Sequence, residues 1–341
     1  MTLTILGGGS WGTALAIVLA PKFESVRLWV FEQDLAARMQ ASRENDVYLA
    51  GLKLPANVDV THDLAAALAD ADIVLGVIPS KFARVTWQRA LPYLRPEATF
   101  VSATKGIEAG TLLRMSEVMA EVIRPKFEPV GSAPLGFIPK IAVLSGPTFA
   151  REIAKGEPAA LVVVSADHEV AVHVQKAFSG PTFRPYANSD CVGVELGGAL
   201  KNVIAIAAGV VEGLGLGNNT MAALITRGLA EITRLAVAMG GHPKTLSGLA
   251  GLGDLVLTCT GDLSRNRRVG IELAKGRTLA DITASTPMVA EGVETCGSAV
   301  ALGAKFGVDL PIIQQMHEVL HRAKAPQDAL RDLMDRSLKN E

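Results

Sequence analysis

The first half of the chain carries short, largely apolar runs that alternate with longer segments of helical periodicity. Apolar runs of this length are typical of strands buried on both faces of a parallel sheet. Strands that alternate with helices indicate a doubly wound α/β domain. The runs that we predict as strands are residues 2–6, 26–30, 72–79, 99–102, 141–144 and 159–164.

The pattern changes after Asn188, where the strand-like runs stop and segments rich in Ala, Leu and Gly continue with helical periodicity. A chain of 341 residues exceeds the size at which one core usually stops growing. We therefore predict a Rossmann-type doubly wound domain over residues 1–187 and an all-helical substrate-binding domain over residues 188–341. Ligands of such sheets bind at the carboxyl ends of the strands, so we expect the active site in the cleft between the halves.

Two polar stretches interrupt the strand pattern of the first half. Residues 33–57 separate the second and third predicted strands. Residues 124–140 hold four prolines among mixed polar residues and are predicted to form a surface loop. Neither stretch contributes a strand to the prediction.

The clearest local signal is a glycine loop between the first strand and the following helix. Gly7, Gly9 and Gly12 have GxGxxG spacing, which permits a tight turn, a close approach of the backbone to a pyrophosphate, and close packing of the helix on the sheet. The helix N-terminus supplies free N–H groups and the positive end of the helix dipole. Glu32 lies twenty residues after Gly12, where an acidic residue can bind a ribose hydroxyl. This context favours a dinucleotide site over a glycine-rich turn that binds nothing.

Charge and cysteine content narrow the classes of function. The net charge is −1 and both signs are spread along the chain, which argues against a nucleic-acid or acidic-membrane surface but not against small anionic substrates. Cys191, Cys259 and Cys296 are too few and too scattered for a disulfide framework or a CxxC metal site. The N-terminus lacks the basic start and cleavage site of a signal peptide, so we expect a cytoplasmic protein.

The most apolar long stretch covers residues 192–211 and contains Glu195, Lys201 and Asn202. Burying these polar side chains in hydrocarbon would be costly. We therefore predict a buried helix of a soluble protein and no stable membrane insertion.

Lys201 is a candidate for general acid–base chemistry, because it places one ammonium group among small and apolar helix residues. Desolvation and cationic neighbours lower the pKa of a lysine toward the range useful for proton transfer. A lysine that snorkels off a buried helix fits the local sequence equally well. Asp254, between glycines and an apolar run, is a candidate for a carboxylate held in place.

Two further groups of residues suit an anionic ligand. Ser264, Arg265 and Asn266 offer a hydroxyl, a guanidinium fork and an amide, a set suited to phosphate oxygens, although a solvated, capped helix start has the same composition. Lys105 and residues 146–150 follow predicted strands, at the edge where ligands bind in this architecture. A simple turn explains either of them equally well at the local level.

Taken together, these motifs resemble those of the bacterial-type NAD(P)-dependent glycerol-3-phosphate dehydrogenase family. The resemblance rests on five blocks in the family's order and spacing, which are residues 7–16, 103–106, 144–150, 195–202 and 251–266. It implies the reversible reduction of dihydroxyacetone phosphate to sn-glycerol 3-phosphate by NADH or NADPH, which supplies glycerophospholipid synthesis. It also implies a homodimer and a reaction without a metal.

The resemblance further implies roles for individual residues. Lys201 matches the family's catalytic lysine, which donates a proton to the keto oxygen, and Asp254 matches the carboxylate expected to orient it. The implied substrate-binding residues are Lys105, Gly146, Thr148, Lys201, Asp254, Ser264, Arg265 and Asn266. The implied cofactor-binding residues are Gly7, Gly9, Ser10, Trp11, Gly12, Phe31, Glu32, Lys105, Ala150, Arg265, Val289 and Glu291.

The chain departs from the family after its second predicted strand. Many members carry a basic residue there that can contact a 2′-phosphate, whereas this chain has Phe31 followed by Glu32. A carboxylate favours the unphosphorylated ribose of NAD and repels NADP, although Arg27 or Arg38 could approach the same region. The sequence therefore leaves the choice between NAD and NADP open.

A different class of enzyme is indicated by His317, Glu318 and His321, which form an HExxH motif typical of zinc proteases. Such a site needs a third protein ligand, and only twenty residues follow His321. The last of them, Glu341, is expected to fray. A charged face on a terminal helix is the better explanation.

Two hypotheses keep the dinucleotide site but change the function. A non-catalytic dinucleotide-binding or sensor protein would not need Lys201 and Asp254, so their presence argues against it. A related two-domain dehydrogenase could act on another phosphorylated or acidic ketone, since residues 264–266 favour a phosphate but not uniquely.

Overall fold

The computed structural model describes residues 1–127, 138–286 and 289–338 of the chain. The chain divides into two compact units. The first unit consists of Met1–Lys105 and Leu113–Cys191, and the second of Gly106–Leu112 and Val192–Glu341. The short segment after residue 105 was not expected in the second unit, and it contributes Ile107 to the core there.

The first unit is built on one eight-stranded sheet. Its strands are β1 (Thr2–Leu6), β2 (Ser25–Trp29), β3 (Val58–Thr61), β4 (Ile73–Gly76), β5 (Thr99–Ser102), β6 (Lys140–Ser145), β7 (Ala159–Val164) and β8 (Phe183–Asn188). The strand order across the sheet is β3-β2-β1-β4-β5-β6-β7-β8. Neighbouring strands are parallel except β6 and β7, which are antiparallel.

Helices cover both faces of this sheet. The helices of the first unit are α1 (Ser10–Leu19), α2 (Gln33–Ser42), α3 (Leu64–Leu68), α4 (Ser80–Ala90), α5 (Met115–Phe127), α6 (Ala150–Ala154) and α7 (His168–Phe178), with 3-10 turns at Ala20–Lys22 and Leu91–Tyr93. Successive residues of a strand point to opposite faces, so Ile73 and Leu75 enter one core and Val74 enters the other. Two-sided burial explains the continuous apolar runs and confirms the predicted doubly wound α/β fold.

Two strands, β3 and β8, were not predicted from the sequence, and they form the two edges of the sheet. Both alternate buried and exposed positions instead of forming a continuous apolar run. β8 also contains Pro185, which is tolerated on an edge strand because it has no N–H group to donate to a neighbour. The apolar pattern therefore detects central strands more easily than edge strands.

The predicted surface loop over residues 124–140 is wrong at its start. α5 continues to Phe127, past Pro125, because the buried side chains of Val122 and Ile123 keep its apolar face in the core. At the other end, Lys140 already belongs to β6. The middle of that stretch, residues 128–137, lies outside the described residues.

The second unit is helical, as predicted. Its helices are α8 (Cys191–Gly213), α9 (Asn218–Ala238), α10 (Pro243–Leu246), α11 (Asp254–Thr260), α12 (Arg265–Ala274), α13 (Leu279–Ala284), α14 (Glu291–Phe306), α15 (Pro311–His321) and α16 (Pro326–Met334), with a π-helical turn at Leu249–Gly253. α8 is long and apolar enough to span a membrane, but its apolar window is wholly buried inside the protein. Its residues from Leu196 to Ala208 form a large part of the core of the second unit.

Glycines bring two neighbouring elements against α8. A Cβ at Gly197 would lie 2.5 Å from the carbonyl oxygen of Ala250, in the π-helical turn before α11. A Cβ at Gly209 would overlap the backbone of Arg267 in α12. α11 and α12 therefore approach the part of α8 that carries Lys201, because glycine leaves room for backbone contact.

Candidate functional site

Two glycines of the GxGxxG spacing, Gly7 and Gly12, leave room for neighbouring backbone atoms. Gly7 has φ +128°, and a Cβ there would overlap the carbonyl oxygen of Val77. A Cβ at Gly12 would overlap the carbonyl oxygen of Gly7, so this glycine lets α1 begin directly above the end of β1. At Gly9, by contrast, a Cβ would meet no atom within 4 Å. The space beside Gly9 is therefore open.

The N-terminus of α1 can accept an anion. Gly9 occupies the N-cap position, and no side chain caps the helix among the described residues. The Nε1 atom of Trp11 is buried without a hydrogen-bond partner in the described part of the chain. Free N–H groups at the helix N-terminus and open space beside Gly9 fit the pyrophosphate of a dinucleotide.

Phe31 and Glu32 follow β2, next to the strand that leads into the glycine loop. The Phe31 ring is 63% exposed and packs edge-on against the Trp29 ring. The guanidinium of Arg89 lies 5.5 Å from the centre of the Phe31 ring. The Glu32 side chain is exposed, as a ribose-binding carboxylate must be.

The residues predicted at the ends of β5 and β6 come together. These strands are parallel neighbours, so their carboxyl ends lie at the same edge of the sheet. Lys105 Nζ donates to the carbonyl oxygen of Gly146 at 2.8 Å and to Thr148 Oγ1 at 3.3 Å. Gly146 has φ +137°, and its close approach to Leu161 leaves no room for a side chain. Ala150 is the first residue of the short helix α6 that follows.

A buried ionic cluster lies at the centre of the second unit. Lys201, on α8, is 6% exposed and forms an ion pair with Asp254, which is 1% exposed and begins α11. Lys201 Nζ also donates to Thr258 Oγ1 at 2.7 Å. The snorkelling alternative for Lys201 is therefore wrong, because a snorkelling ammonium ends in water. The cluster holds one ammonium group in a fixed direction.

Thr258 is a member of this cluster that the sequence analysis missed. Its hydroxyl donates to the backbone carbonyl of Asp254 at 2.6 Å and accepts from Lys201. Asp254 and Thr258 are four residues apart on α11, so helical periodicity places them on one face. That spacing is the signal that could have identified Thr258.

Asn266 connects three elements of the second unit. Its Nδ2 donates to Asn202 Oδ1 at 3.0 Å, and its Oδ1 accepts from the backbone N–H of Gly292 at 3.0 Å. Asn202 follows Lys201 on α8, and Gly292 lies in the first turn of α14. The amide therefore fixes α12 and α14 beside the residue next to Lys201.

Arg265 and Glu291 each begin a helix near this amide network. Solvent reaches the Arg265 side chain. The pKa of its guanidinium is lowered overall, because desolvation by the surrounding protein outweighs the opposing effect of the Glu291 carboxylate. Arginine nevertheless stays charged at neutral pH. The Ser264 hydroxyl caps α12 by accepting from the backbone N–H of Arg267 at 3.2 Å. Val289 is half-buried, two residues before α14.

The HExxH motif lies on α15, and the rings of His317 and His321 are 4.9 Å apart. Within residues 1–127, 138–286 and 289–338, no group of three His, Cys, Asp or Glu side chains is arranged to hold a metal ion. Glu341, considered above as a third ligand, lies outside the described residues.

Two family models together match nearly the whole chain. The model described as the N-terminus of NAD-dependent glycerol-3-phosphate dehydrogenase matches residues 2–171, and the model of the C-terminus matches residues 190–331. The chain belongs to this family. The family predicted from the five motif blocks is therefore confirmed, and with it the dependence on NAD(P).

Relatives and solved structures agree with this membership. A glycerol-3-phosphate dehydrogenase [NAD(P)+] of Koribacter versatilis is 55% identical over 98% of this chain and 97% of its own length. The one of Citrifermentans bemidjiense is 51% identical over 99% of this chain and 98% of its own length. The crystal structure of glycerol-3-phosphate dehydrogenase from Coxiella burnetii superposes with a TM-score of 0.90 at 39% identity, covering 98% of this chain and 99% of that one.

A ketopantoate reductase of the PanE/ApbA family from Ralstonia eutropha shares the fold alone. It superposes with a TM-score of 0.60 at 15% identity, covering 97% of this chain and 100% of that one. A shared fold by itself therefore does not indicate a shared substrate.

Proposed function

We propose that the chain catalyses the reversible reduction of dihydroxyacetone phosphate to sn-glycerol 3-phosphate, with NADH or NADPH as the reductant. The observation that carries the proposal is the buried cluster of Lys201, Asp254 and Thr258, which supplies a single oriented proton donor. The family membership supports the substrate. In the balanced reaction, the ketone gains one hydride at carbon and one proton at oxygen.

The cluster suits the proton half of this reaction. When bound, the reduced nicotinamide supplies the hydride, and negative charge develops on the keto oxygen. The Lys201 ammonium can stabilise that charge and donate the proton to the oxygen. Asp254 and Thr258 hold the ammonium in place. They also favour its charged form, since a buried lysine without partners would lose its charge. Asp254 is thus proposed as a catalytic residue together with Lys201.

The substrate phosphate is proposed to bind through Arg265 and its neighbours. The Arg265 guanidinium is solvent-accessible at the start of α12, where the helix dipole adds positive potential. Ser264 already caps α12, and Asn266 already bridges to α8 and α14. We therefore propose that Arg265 makes the main direct contact with the phosphate. Ser264 and Asn266 also contact the phosphate and support the position of Arg265. Lys105, Gly146 and Thr148 are proposed as further substrate-binding residues.

The dinucleotide is proposed to bind at the glycine loop. Gly7, Gly9 and Gly12 shape the loop, and Ser10 and Trp11 lie in the first turn of α1. The remaining proposed cofactor contacts are Phe31, Glu32, Lys105, Ala150, Arg265, Val289 and Glu291.

We also propose that the enzyme is a cytoplasmic homodimer that works without a metal and does not insert into membranes. Its product, sn-glycerol 3-phosphate, is proposed to supply the backbone of glycerophospholipids. Family resemblance supports the dimer, and the wholly buried α8 supports a soluble protein. Size-exclusion chromatography with light scattering should give the mass of two chains. A mass of 35.8 kDa would show a monomer and contradict this part of the proposal.

The direct test is the initial rate of NADH and NADPH oxidation with three substrates: dihydroxyacetone phosphate, dihydroxyacetone and ketopantoate. We expect turnover with the phosphorylated ketone and far less with dihydroxyacetone, which lacks the phosphate. Arg265→Ala should raise KM for the phosphorylated ketone, because a charged hydrogen bond is lost. Turnover of ketopantoate instead would support another dehydrogenase, and no turnover with either cofactor would support the sensor hypothesis.

A further inference from the structure

A short segment between α2 and β3 is tied to the glycine loop by side-chain hydrogen bonds. Asn45 is fully buried, and its Nδ2 donates to the carbonyl oxygen of Gly8 and to Thr13 Oγ1, both at 2.8 Å. Its Oδ1 accepts from the backbone N–H of Tyr48 at 3.0 Å. Ser10 Oγ donates to the carbonyl oxygen of Tyr48 at 2.8 Å. The backbone of Tyr48 is therefore fixed relative to the loop.

The phenol of Tyr48 reaches the carboxylate that follows β2. Tyr48 OH donates to Glu32 Oε1 over 3.4 Å, at the long end of the hydrogen-bond range. Glu32 occupies the N-cap position of α2 but makes no cap bond to that helix in the described structure. Partial burial, and then the Glu32 charge, raise the pKa of Tyr48, so the phenol keeps the proton that it donates. Tyr48 thus contacts the exposed Glu32 carboxylate through one long hydrogen bond.

The two arginines considered as partners for a 2′-phosphate are engaged elsewhere. Arg27 donates to the carbonyl oxygen of Ala69. Arg38 bonds both carboxylate oxygens of Asp46, at 3.2 and 3.3 Å. Neither of these two guanidinium groups can therefore pair with a 2′-phosphate beside Glu32 without giving up its present contact.

We propose that Glu32 and Tyr48 together make this chain select NADH over NADPH, with Glu32 as the reader of the ribose 2′-hydroxyl and Tyr48 as its positioning residue. The carboxylate accepts the hydrogen of the 2′-hydroxyl, and it repels a 2′-phosphate at the same place. The inference rests on the proposed function only in taking a nicotinamide dinucleotide as the ligand of the glycine loop.

Arg89 offers the competing arrangement. Its guanidinium lies over the rings of Phe31 and Trp29, at 5.5 and 6.0 Å from their centres. A guanidinium in this place could turn toward a 2′-phosphate and favour NADPH. The variants in the test therefore include Arg89→Gln.

The test measures the dissociation constants of NADH and NADPH, without substrate, by calorimetry and by quenching of tryptophan fluorescence. Wild type should bind NADH at least about 10-fold more tightly than NADPH, since like charges at a contact are strongly unfavourable. Glu32→Gln should bring the two constants close together. Tyr48→Phe should narrow the ratio in the same direction, because the carboxylate loses its restraint. Asp34→Asn removes an exposed charge two residues away and should leave the ratio unchanged.

The ratio of the two constants separates positioning from mere structure. A loosened fold would weaken both dinucleotides equally and leave the ratio as it is. Equal binding by wild type, tighter binding of NADPH, or a Tyr48→Phe ratio equal to that of wild type would overturn the inference. If wild type binds NADPH more tightly, selective loss of NADPH binding in Arg89→Gln would assign that preference to Arg89. Because no substrate is present, selectivity for NADH can hold even where reduction of dihydroxyacetone phosphate fails.

Discussion

The glycine loop of the first unit and the lysine cluster of the second are built in different ways. The loop offers backbone N–H groups and open space, and its glycines matter for the side chains that they lack. The cluster offers side chains alone, with Lys201 and Asp254 both almost fully buried. The proposed dinucleotide site thus consists of backbone geometry, whereas the proposed proton donor is a buried charge with partners.

The two regions therefore differ in how a substitution acts. A change in the loop adds atoms where a ligand or the backbone must pass. A change in the cluster leaves a buried charge without its partner.

Asp254→Asn should have the largest effect, because it removes the carboxylate that forms an ion pair with the buried Lys201 ammonium. Removing one partner of a buried ion pair lowers the free energy of unfolding by about 3 to 5 kcal/mol. Turnover should fall by at least about 100-fold, since the proton donor is no longer oriented. Urea denaturation and initial rates measure the two effects.

A double variant separates stability from chemistry at this pair. Lys201→Met with Asp254→Leu removes both charges and keeps similar volumes, so it should recover much of the stability and none of the turnover. A single Asp254→Asn protein with wild-type stability and rate would show that the ion pair does neither job.

Glu231 provides a contrast to the N-terminus of α1, because its side chain caps the N-terminus of another helix. Its buried carboxylate accepts from the backbone N–H groups of Ile312 and Ile313 at the start of α15, at 2.7 and 3.2 Å, whereas no side chain caps α1 in the described structure. Burial raises the pKa of Glu231 from 4.5 to about 7, against the opposing effect of these hydrogen bonds. The folded state then binds more protons than the unfolded state between these pH values, so stability falls as pH rises.

The expected loss is about 3 kcal/mol of unfolding free energy between about pH 4.5 and pH 7. Denaturant titrations across this range should show it for wild type, over and above the other titrating groups. Glu231→Gln, which does not titrate, should show a flatter profile, and exposed Glu157→Gln serves as the control. Identical profiles for wild type and Glu231→Gln would contradict the raised pKa.

Gly12→Ala should destabilise the first unit by about 1 to 3 kcal/mol, because its Cβ would overlap the backbone of Gly7. Gly9→Ala should change stability by less than about 0.5 kcal/mol, since its Cβ meets open space and its φ of −73° suits alanine. Thermal unfolding of both variants tests the difference. Equal destabilisation would mean that the space beside Gly9 is not open.

Thr258→Val should lower the stability by only about 1 kcal/mol, through the loss of one acceptor for Lys201. Thr260→Val is a matched control, because Thr260 lies on the same helix and bonds its own backbone at Val256 but does not contact Lys201. Turnover should fall for Thr258→Val alone. A reduced rate in both variants would point to the helix rather than to the cluster.

Much of the fold could be predicted from the sequence, because the central strands are apolar on both faces and so form continuous runs. The edge strands β3 and β8 could not, since one-sided exposure breaks the run. The glycine loop is equally local, and its spacing alone indicates the turn that Gly7 makes.

The lysine cluster was less predictable, because Lys201 and Asp254 are 53 residues apart and meet only through packing. Family resemblance, and not periodicity, joined them in the prediction. The bridge from Asn202 to Asn266 was missed for the same reason, since it depends on the backbone contact that Gly209 permits between α8 and α12. Contacts of this kind are set by tertiary structure.

The most direct test of the account measures NADH affinity and turnover on the same two variants, Lys201→Met and Gly9→Ala. We predict that Lys201→Met binds NADH as tightly as wild type while its turnover of dihydroxyacetone phosphate falls by at least about 100-fold. We predict that Gly9→Ala binds NADH weakly and recovers turnover when NADH is raised, because its Cβ obstructs the cofactor and not the proton donor. Turnover retained in folded Lys201→Met, or NADH binding unchanged in Gly9→Ala, would contradict the division between backbone binding and side-chain chemistry.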